Sequence, residues 1–185
     1  MKIIGIIPAR YASSRLPGKP LADIEGHPMI WWVYNQVIKV KQFEQVFVAT
    51  DDSRIVEYCK LSNMPFIHTS KDCPNHIHRI WEVSNQLKAD YYVSVNGDEP
   101  LIDPENIEQA LPENIVSDIP YFGSVYRRLT DPAETMDLAN VKIVLDAKGD
   151  CLYQSRTPIP YPKGSIMIEG KKALEELSKT HISLD

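Results

Sequence analysis

The chain has 185 residues, of which 43% are apolar and 24% charged. These are ordinary values for a soluble globular protein, and the length suits one compact domain with a full hydrophobic core. The formal net charge of −5 argues against a nucleic-acid-binding protein, although a few local Lys or Arg side chains would suffice for phosphate contacts. The three scattered cysteines include no Cys-x-x-Cys pair, which favours reduced thiols over a disulfide framework.

The first predicted element is a strand over residues 3–7, a short, β-branched and almost wholly apolar run of the kind buried on both faces of a sheet. The run ends at Pro8, too short for a signal peptide or a membrane span. We therefore expect a cytoplasmic protein without a membrane partner. A loop rich in Pro, Gly and Ser follows. Apolar residues at helical spacing then predict a helix from Pro28, which suits a first helical position, to about Lys39.

Strands and helices continue to alternate as far as residue 119. Three further strands are expected, over residues 46–50, 65–68 and 91–95. A helix capped by the Asp51-Asp52 pair and a second helix over residues 77–87 lie between them. A short helix opens at Asp103-Pro104, an N-cap followed by an N1 proline. The alternation predicts right-handed βαβ units and an α/β fold, Rossmann-like, with a doubly wound and mostly parallel sheet.

The pattern changes beyond Pro120. Strands are expected over residues 121–126, 141–145 and 151–154, and the proline-rich stretch 157–162 suits neither a helix nor a central strand. Residues 169–179 form a candidate amphipathic helix. We therefore predict an α/β core over residues 1–119, and a smaller mixed α+β part over residues 120–185 of the same domain.

Three polar clusters follow predicted strands. They are the loop over residues 8–21, the Asp51-Asp52 pair, and the turn Gly97-Asp98-Glu99. Ligands of parallel α/β sheets bind beyond the carboxyl ends of the strands. The three clusters should therefore face one crevice, which is the predicted ligand site.

The first of these clusters has three cations, Arg10, Arg15 and Lys19. Gly18 permits a close backbone approach, and Ser13 and Ser14 add hydroxyl donors. Planar Arg forks, a Lys point charge and exposed backbone amides are what a triphosphate requires. A solvated basic loop is the plain alternative, but the position after a buried strand favours the phosphate site. The spacing of a Walker A motif is absent.

Asp98 is the candidate metal ligand. Mg²⁺ prefers carboxylate oxygens together with substrate phosphates, and opposite a triphosphate loop this favours a metal site over an ordinary turn. Zinc is less favoured: His76 and His78 lie two residues apart, with His68 and Cys73 near them. Side chains two apart on a helix point in different directions, and no Cys-x-x-Cys pair supports zinc.

Residues 8–21 have the sequence PARYASSRLPGKPL. Further motifs follow in order, over about residues 1–162: Gly26-x-Pro28-Met29-Ile30, Val48-Ala49-Thr50-Asp51-Asp52, Asn96-Gly97-Asp98-Glu99-Pro100-Leu101, Asn140-Val141-Lys142 and Ser155-Arg156-x-Pro158-Ile159-Pro160. Together these motifs resemble those of a known family, the 3-deoxy-manno-octulosonate (Kdo) cytidylyltransferases.

The resemblance implies a nucleotidyltransferase fold and an enzyme that joins CMP from CTP to a 2-keto-3-deoxy sugar acid, with release of pyrophosphate. Residues 1–119 would bind the nucleotide, and residues 120–185 would bind the sugar. The implied nucleotide-binding residues are Pro8, Ala9, Arg10, Ser13, Arg15, Lys19 and Arg79. The implied catalytic residues are Lys19, Arg10 and Asp98, the sugar-binding residues are Asn96 and Arg156, and the Mg²⁺ ligands are Asp98 and Asp185. The family also suggests a homodimer.

Two departures from the family pattern concern the substrate. The family has Ser-Gly-Thr-Asp/Glu-Arg where this chain has Asn75-His76-Ile77-His78-Arg79, and a Gln where this chain has Asn96. A third departure is length. Family members continue with a dimerisation segment before the late Asp of the metal site, and the ending of this chain, HISLD, resembles the stretch with that Asp.

Three functions remain open from the sequence. The first is a cytidylyltransferase for Kdo or a close relative, which would supply lipopolysaccharide biosynthesis. The second is a cytidylyltransferase for another nonulosonic, sialic-acid-like sugar. The third is a shortened, non-catalytic paralogue that binds the nucleotide only. The run Leu16-Pro17-Gly18-Lys19-Pro20-Leu21 favours the first.

Overall fold

The computed structural model describes residues 1–12, 16–112 and 121–160. The chain divides into two compact units, Met1–Val125 and a second unit that begins at Tyr126. In the parts of the chain so described, no helix is long and apolar enough to cross a lipid bilayer. The helix expected over residues 169–179 lies outside the described residues.

The first unit is built on a four-stranded, wholly parallel sheet. The described strands of this unit, including two that lie outside the main sheet, are β1 (Ile3–Ala9), β2 (Asp23–Ile24), β3 (His27–Pro28), β4 (Gln45–Thr50), β5 (Phe66–His68) and β6 (Tyr91–Ser94). Its helices are α1 (Met29–Val37), α2 (Ser53–Leu61), α3 (His76–Gln86) and α4 (Pro104–Glu108), with a 3-10 turn at Lys19–Leu21. The sheet has the order β5-β4-β1-β6, while β2 and β3 form a separate antiparallel pair. The predicted parallel α/β sheet is confirmed.

Helices cover both faces of this sheet. Buried residues of α1 and α2 pack with Ile7 and Val48 on one face. Val83 of α3 packs with Ile4 and Ile6 on the other. Alternate residues of β1 therefore enter opposite cores, as expected for a central parallel strand. Burial of one such Ile side chain contributes about 1.5–3 kcal/mol, so the short apolar run that begins the chain holds both layers together.

The helix starts follow the predicted capping chemistry. Asp52 caps α2 by accepting a hydrogen bond from the backbone N–H of Arg54 at 3.0 Å. Asp103 caps α4 in the same way, and a proline follows it at the first helical position. The first helix differs slightly from its prediction, because Pro28 is the N-cap residue rather than the first helical residue, and α1 ends at Val37 rather than near Lys39.

The prediction of a strand over residues 121–126 is wrong. The backbone there forms no strand, and the Tyr121 hydroxyl donates to the carbonyl of Ala110 at 3.3 Å. The segment contains β-prone residues, but a strand needs a hydrogen-bonded neighbour, and no described strand pairs with it.

The second unit contains α5 (Pro132–Met136) and an antiparallel hairpin of β7 (Lys142–Leu145) and β8 (Cys151–Ser155). The two predicted strands are confirmed, with a bulge between Val144 and Leu145. The buried Lys142 ammonium donates to the backbone carbonyls of Asp137, Asn140 and Arg156. Burial lowers the pKa of Lys142, so these carbonyls compensate for the lost hydration of its charge.

Candidate active site

A cleft of about 300 Å³ lies at the carboxyl ends of β1 and β6 in the first unit. Neighbouring strands place these two ends side by side, because β6 pairs directly with β1 in parallel register. The residues that line the cleft are Pro8, Ala9, Arg10, Ala12, Lys19, Pro20, His76, Arg79, Asn96, Gly97 and Asp98. The predicted crevice is confirmed for the loop over residues 8–21 and for Gly97-Asp98. The Asp51-Asp52 pair and Glu99, which were also expected there, are not among its described lining residues, and the start of α3 contributes His76 and Arg79 instead.

Lys19 is held by a turn that its own loop builds. Gly18 has φ 74°, a left-handed conformation that favours glycine, and its N–H donates to the Tyr11 carbonyl at 2.8 Å. A side chain at Gly18 would also meet the Tyr11 ring at 2.9 Å. Pro20 is buried directly after Lys19. The backbone under Lys19 is consequently fixed, while its long side chain reaches into the cleft.

Asp98 approaches the cleft from the opposite strand end. A Cβ at Gly97 would lie only 2.8 Å from the Pro8 carbonyl oxygen, so glycine is required for the turn after β6 to pack against the end of β1. This close packing brings the Lys19 Nζ to 2.8 Å from the Asp98 Oδ2. The Lys19 and Asp98 side chains are 32% and 47% exposed, so this ion pair is open to solvent and to ligands.

Arg79 is the most deeply buried charge of the site. Its side chain is 1% exposed, and its Nη2 lies 2.8 Å from the Oδ1 of Asp51, which is 19% exposed. Its Nη1 donates to the hydroxyl of the buried Thr69. The Arg79–Asp51 contact is an ion pair whose angle does not satisfy a directed hydrogen bond, so Nη2 and Oδ1 keep unused hydrogen-bonding capacity.

The loop before α3 is pinned by a second side chain of that helix. The Oε2 of Glu82 accepts from the Cys73 thiol at 3.0 Å and from the Ser70 backbone N–H at 2.8 Å. Both hydrogen bonds lower the pKa of Glu82, and the one from the Cys73 thiol has the larger effect. Asn75 then caps α3 by accepting from the His78 N–H at 3.0 Å. The start of α3 beside the cleft is thus anchored from both ends of the loop.

The cleft contains most of the site residues predicted from the sequence. They are Pro8, Ala9, Arg10, Lys19, Arg79, Asn96 and Asp98. Arg10 is exposed at the end of β1. Arg156 belongs to the second unit, where its Nη1 donates to the carbonyls of Leu138 and Ala139 at 2.9 and 3.1 Å. Ser13, Arg15 and Asp185 lie outside the described residues.

Sequence reasoning missed two features of this site. His76, at the first turn of α3, lines the cleft, although the sequence indicated it only as a disfavoured zinc ligand and as part of a departure from the family pattern. The Asp51-Asp52 pair was expected to cap a helix and to face the crevice. Asp52 does the capping, and Asp51 forms an ion pair with Arg79 that the sequence did not indicate. Across the residues that the structure describes, no cluster of three His, Cys, Asp or Glu side chains could hold a metal ion.

A larger groove of about 1030 Å³ runs along the outer side of β6. It is mainly apolar, with Trp81, Tyr91 and Phe122 among its lining residues, and it shares His76 and Asn96 with the cleft. Although it is the larger cavity, its described lining residues include no Lys or Arg. The smaller cleft, in contrast, is lined by Arg10, Lys19 and Arg79.

Comparisons with known proteins found similar sequences. A cytidylyltransferase family model matches residues 4–180. The 3-deoxy-manno-octulosonate cytidylyltransferase of Escherichia coli is 39% identical over 164 residues, covering 89% of this chain and 66% of that protein. The enzyme of the same name from Trichlorobacter lovleyi is 42% identical over 161 residues, covering 87% of this chain and 64% of that protein.

A solved structure is similar over the whole chain. It is that of a CMP:2-keto-3-deoxy-manno-octonic acid synthetase complexed with CTP, with a TM-score of 0.75 and 33% identity, covering 100% of this chain and 80% of that one. The chain spans only 64–66% of the length of the two curated relatives named above.

Proposed function

The chain belongs to the cytidylyltransferase family, and on that premise we propose that it transfers CMP from CTP to a 2-keto-3-deoxy sugar acid, Kdo in first place. Pyrophosphate is the second product. The observation that supports this most strongly is the meeting of Arg10, Lys19, Arg79 and Asp98 in one cleft at the carboxyl ends of parallel strands. The three cations can neutralise the negative charge of a triphosphate, and the carboxylate can bind the metal cation that accompanies it.

In the proposed reaction, the anomeric hydroxyl oxygen of the sugar acid forms a bond to the α-phosphorus of CTP. The bond from that phosphorus to the bridging oxygen breaks, pyrophosphate leaves with this oxygen, and the hydroxyl proton is released. Such transfers depend on in-line positioning and on the neutralisation of phosphate charge. We assign these tasks to Arg10 and Lys19 as catalytic cations, with the backbone of Pro8 and Ala9 supporting the triphosphate.

The proposed nucleotide site includes further residues. Arg79 lines the cleft as a buried cation paired with Asp51, and we propose that its positive charge faces the nucleotide side. Ser13 and Arg15 are proposed as additional phosphate ligands from their places in the first motif.

A divalent metal fits this cleft, and we propose Mg²⁺. The Asp98 carboxylate is 47% exposed and lies among cations that would hold phosphate oxygens. Mg²⁺ is typically bound by one or two carboxylates together with substrate phosphates rather than by an all-protein cage. Asp98 would hold the metal, and Asp185 is proposed as its second protein ligand. When bound, the metal neutralises phosphate charge.

The acceptor side of the site is proposed from the groove and from the second unit. Asn96 lies where the cleft meets the larger groove, and we assign it and Arg156 to the sugar acid. We place the reaction in the cytoplasm, as one step of surface-polysaccharide assembly, and propose a homodimer.

A panel assay tests this function. Purified protein, CTP and Mg²⁺ are incubated with Kdo, with a sialic acid, or with no acid, and released pyrophosphate is measured. Kdo-dependent release is the expected result. Release only with the sialic acid would change the acceptor assignment. Saturable CTP binding without pyrophosphate release for any acid would refute the enzymatic function and favour a nucleotide-binding paralogue.

The variant Asp98→Asn tests the proposed metal site in the same assay. It should remove the metal dependence together with most of the activity.

A further inference from the structure

The Lys19–Asp98 ion pair in the cleft affects how the binding of a divalent metal and of a triphosphate are coupled. Lys19 Nζ donates to Asp98 Oδ2 at 2.8 Å. That oxygen belongs to the one carboxylate among the described cleft-lining residues. An ammonium at this distance occupies the space in which a cation would coordinate the same oxygen, and its charge repels a second cation there.

We propose that Lys19 and a divalent metal compete for the Asp98 carboxylate, so that the metal binds the cleft more tightly together with a triphosphate than alone. The inference rests on the proposed function only in taking a triphosphate as the ligand. Phosphate oxygens offer the Lys19 ammonium an alternative anionic partner. Once Lys19 donates to them, the Asp98 oxygen is released for the metal.

The local structure suits such an exchange. On one side, the backbone of Lys19 is fixed by the Gly18 turn and by the buried Pro20. On the other, Asp98 follows Gly97, which is packed against the Pro8 carbonyl. Neither backbone has to move, because the rotatable side chain of Lys19, 32% exposed, can change partners by itself. The competition is consequently local and needs no closure of the unit.

The competition predicts reciprocal coupling between the two ligands. If CTP raises the affinity for the metal by displacing Lys19, the metal raises the affinity for CTP by the same factor. A metal that binds Asp98 must first displace the exposed Lys19–Asp98 ion pair. The modest energy of such a pair corresponds to a change of about two- to fivefold in the binding constant of the metal. This is the size of the effect expected when the competing ammonium is removed.

The test measures Mn²⁺ binding to the full chain by electron paramagnetic resonance, without any sugar acid. In the absence of CTP, Lys19→Met should bind Mn²⁺ about two- to fivefold more tightly than the unchanged protein. Adding Asp98→Asn should abolish that gain. With CTP present, corrected for Mn²⁺ bound to free CTP, the unchanged protein should gain Mn²⁺ affinity more than Lys19→Met does.

Lys88→Met is the matched control, because it also removes one positive charge. Lys88 is exposed and, within the described parts of the chain, donates to the Ser84 carbonyl alone, at 3.2 Å. Equal Mn²⁺ affinity in Lys19→Met and the unchanged protein would overturn the inference, as would an equal gain in Lys88→Met or a gain that survives Asp98→Asn. Failure of pyrophosphate release with every acid would refute the proposed function alone, since the Mn²⁺ measurement involves no acceptor.

Discussion

Replacing Arg79 by methionine removes a buried charge while keeping a long side chain in its place. In the native protein this guanidinium is 1% exposed and lies 2.8 Å from Asp51, whose side chain is 19% exposed. It also donates to Thr69. After the substitution, the Asp51 carboxylate has lost its ion pair and the Thr69 hydroxyl has lost its donor. Two polar groups at the edge of the core are then left without compensation.

The size of the loss follows from how buried the pair is. Removing one partner of a fully buried ion pair costs about 3–5 kcal/mol, because the other charge remains desolvated. Asp51 keeps some contact with water, so the expected loss of unfolding free energy is about 2–3 kcal/mol, below that range. For a chain of this size, the unfolding midpoint falls by about 2–4 °C per kcal/mol, which gives a decrease of roughly 4–12 °C.

Urea and thermal unfolding followed by circular dichroism measure this loss. The double variant with Asp51→Asn should recover part of it, because no unpaired carboxylate then remains, and the coupling energy of such a cycle is typically about 0.5–3 kcal/mol. Arg54→Met is the matched control. Arg54 also pairs with an aspartate, Asp52, at 2.7 Å, but its side chain is 56% exposed. Asp52 also keeps the hydrogen bond from the backbone N–H of residue 54 after the substitution, so the loss should be smaller. Similar losses for both arginines, or additive effects at Arg79 and Asp51, would refute the reasoning.

Three further predictions concern other buried groups. Burial raises the pKa of Cys59 to about 11, so at neutral pH a thiol reagent should label the exposed Cys151 in the native protein and Cys59 only in urea, as mass spectrometry would record. The pKa of Glu82 is lowered, so its ionised carboxylate stabilises the fold above the ordinary glutamate range, and this stabilisation is lost as the pH falls through the folded-state pKa. Glu82→Gln should therefore flatten the acid side of the curve of unfolding free energy against pH. An unchanged curve would exclude this linkage. Gly97→Ala should lower stability by about 1–3 kcal/mol, because its Cβ would lie 2.8 Å from a backbone carbonyl oxygen; undiminished stability in urea would contradict this packing.

Most of the α/β architecture could be predicted from local patterns. The apolar run at residues 3–7 became the central strand β1, and the acid-then-proline pair at Asp103 became a capped helix. These elements follow from side-chain periodicity and from the chemistry of helix ends, which neighbouring residues determine. The strand expected at residues 121–126 failed because a strand depends on a partner that the local sequence does not specify.

The candidate site was predictable in its members but not in its contacts. Strand alternation correctly indicated that Lys19 and Asp98 face one crevice, because parallel strands end at a common edge. Their direct ion pair across 79 residues of sequence depends on β6 lying next to β1, which is a choice of strand order. Nothing in the local pattern around Arg79 indicated that its charge is buried.

The sequence by itself thus determined the kinds of elements, the loop with its cations, and the family to which the chain belongs. Tertiary structure decided which charges meet. Propensity and periodicity act over a few residues, whereas an ion pair such as Lys19–Asp98 or Arg79–Asp51 forms only where packing brings distant segments within about 4 Å and limits their access to water. For that reason the sequence of residues 8–21 predicts a phosphate site, whereas the packing of Gly97 against Pro8, which brings two sides of the cleft together, is seen only in the tertiary structure.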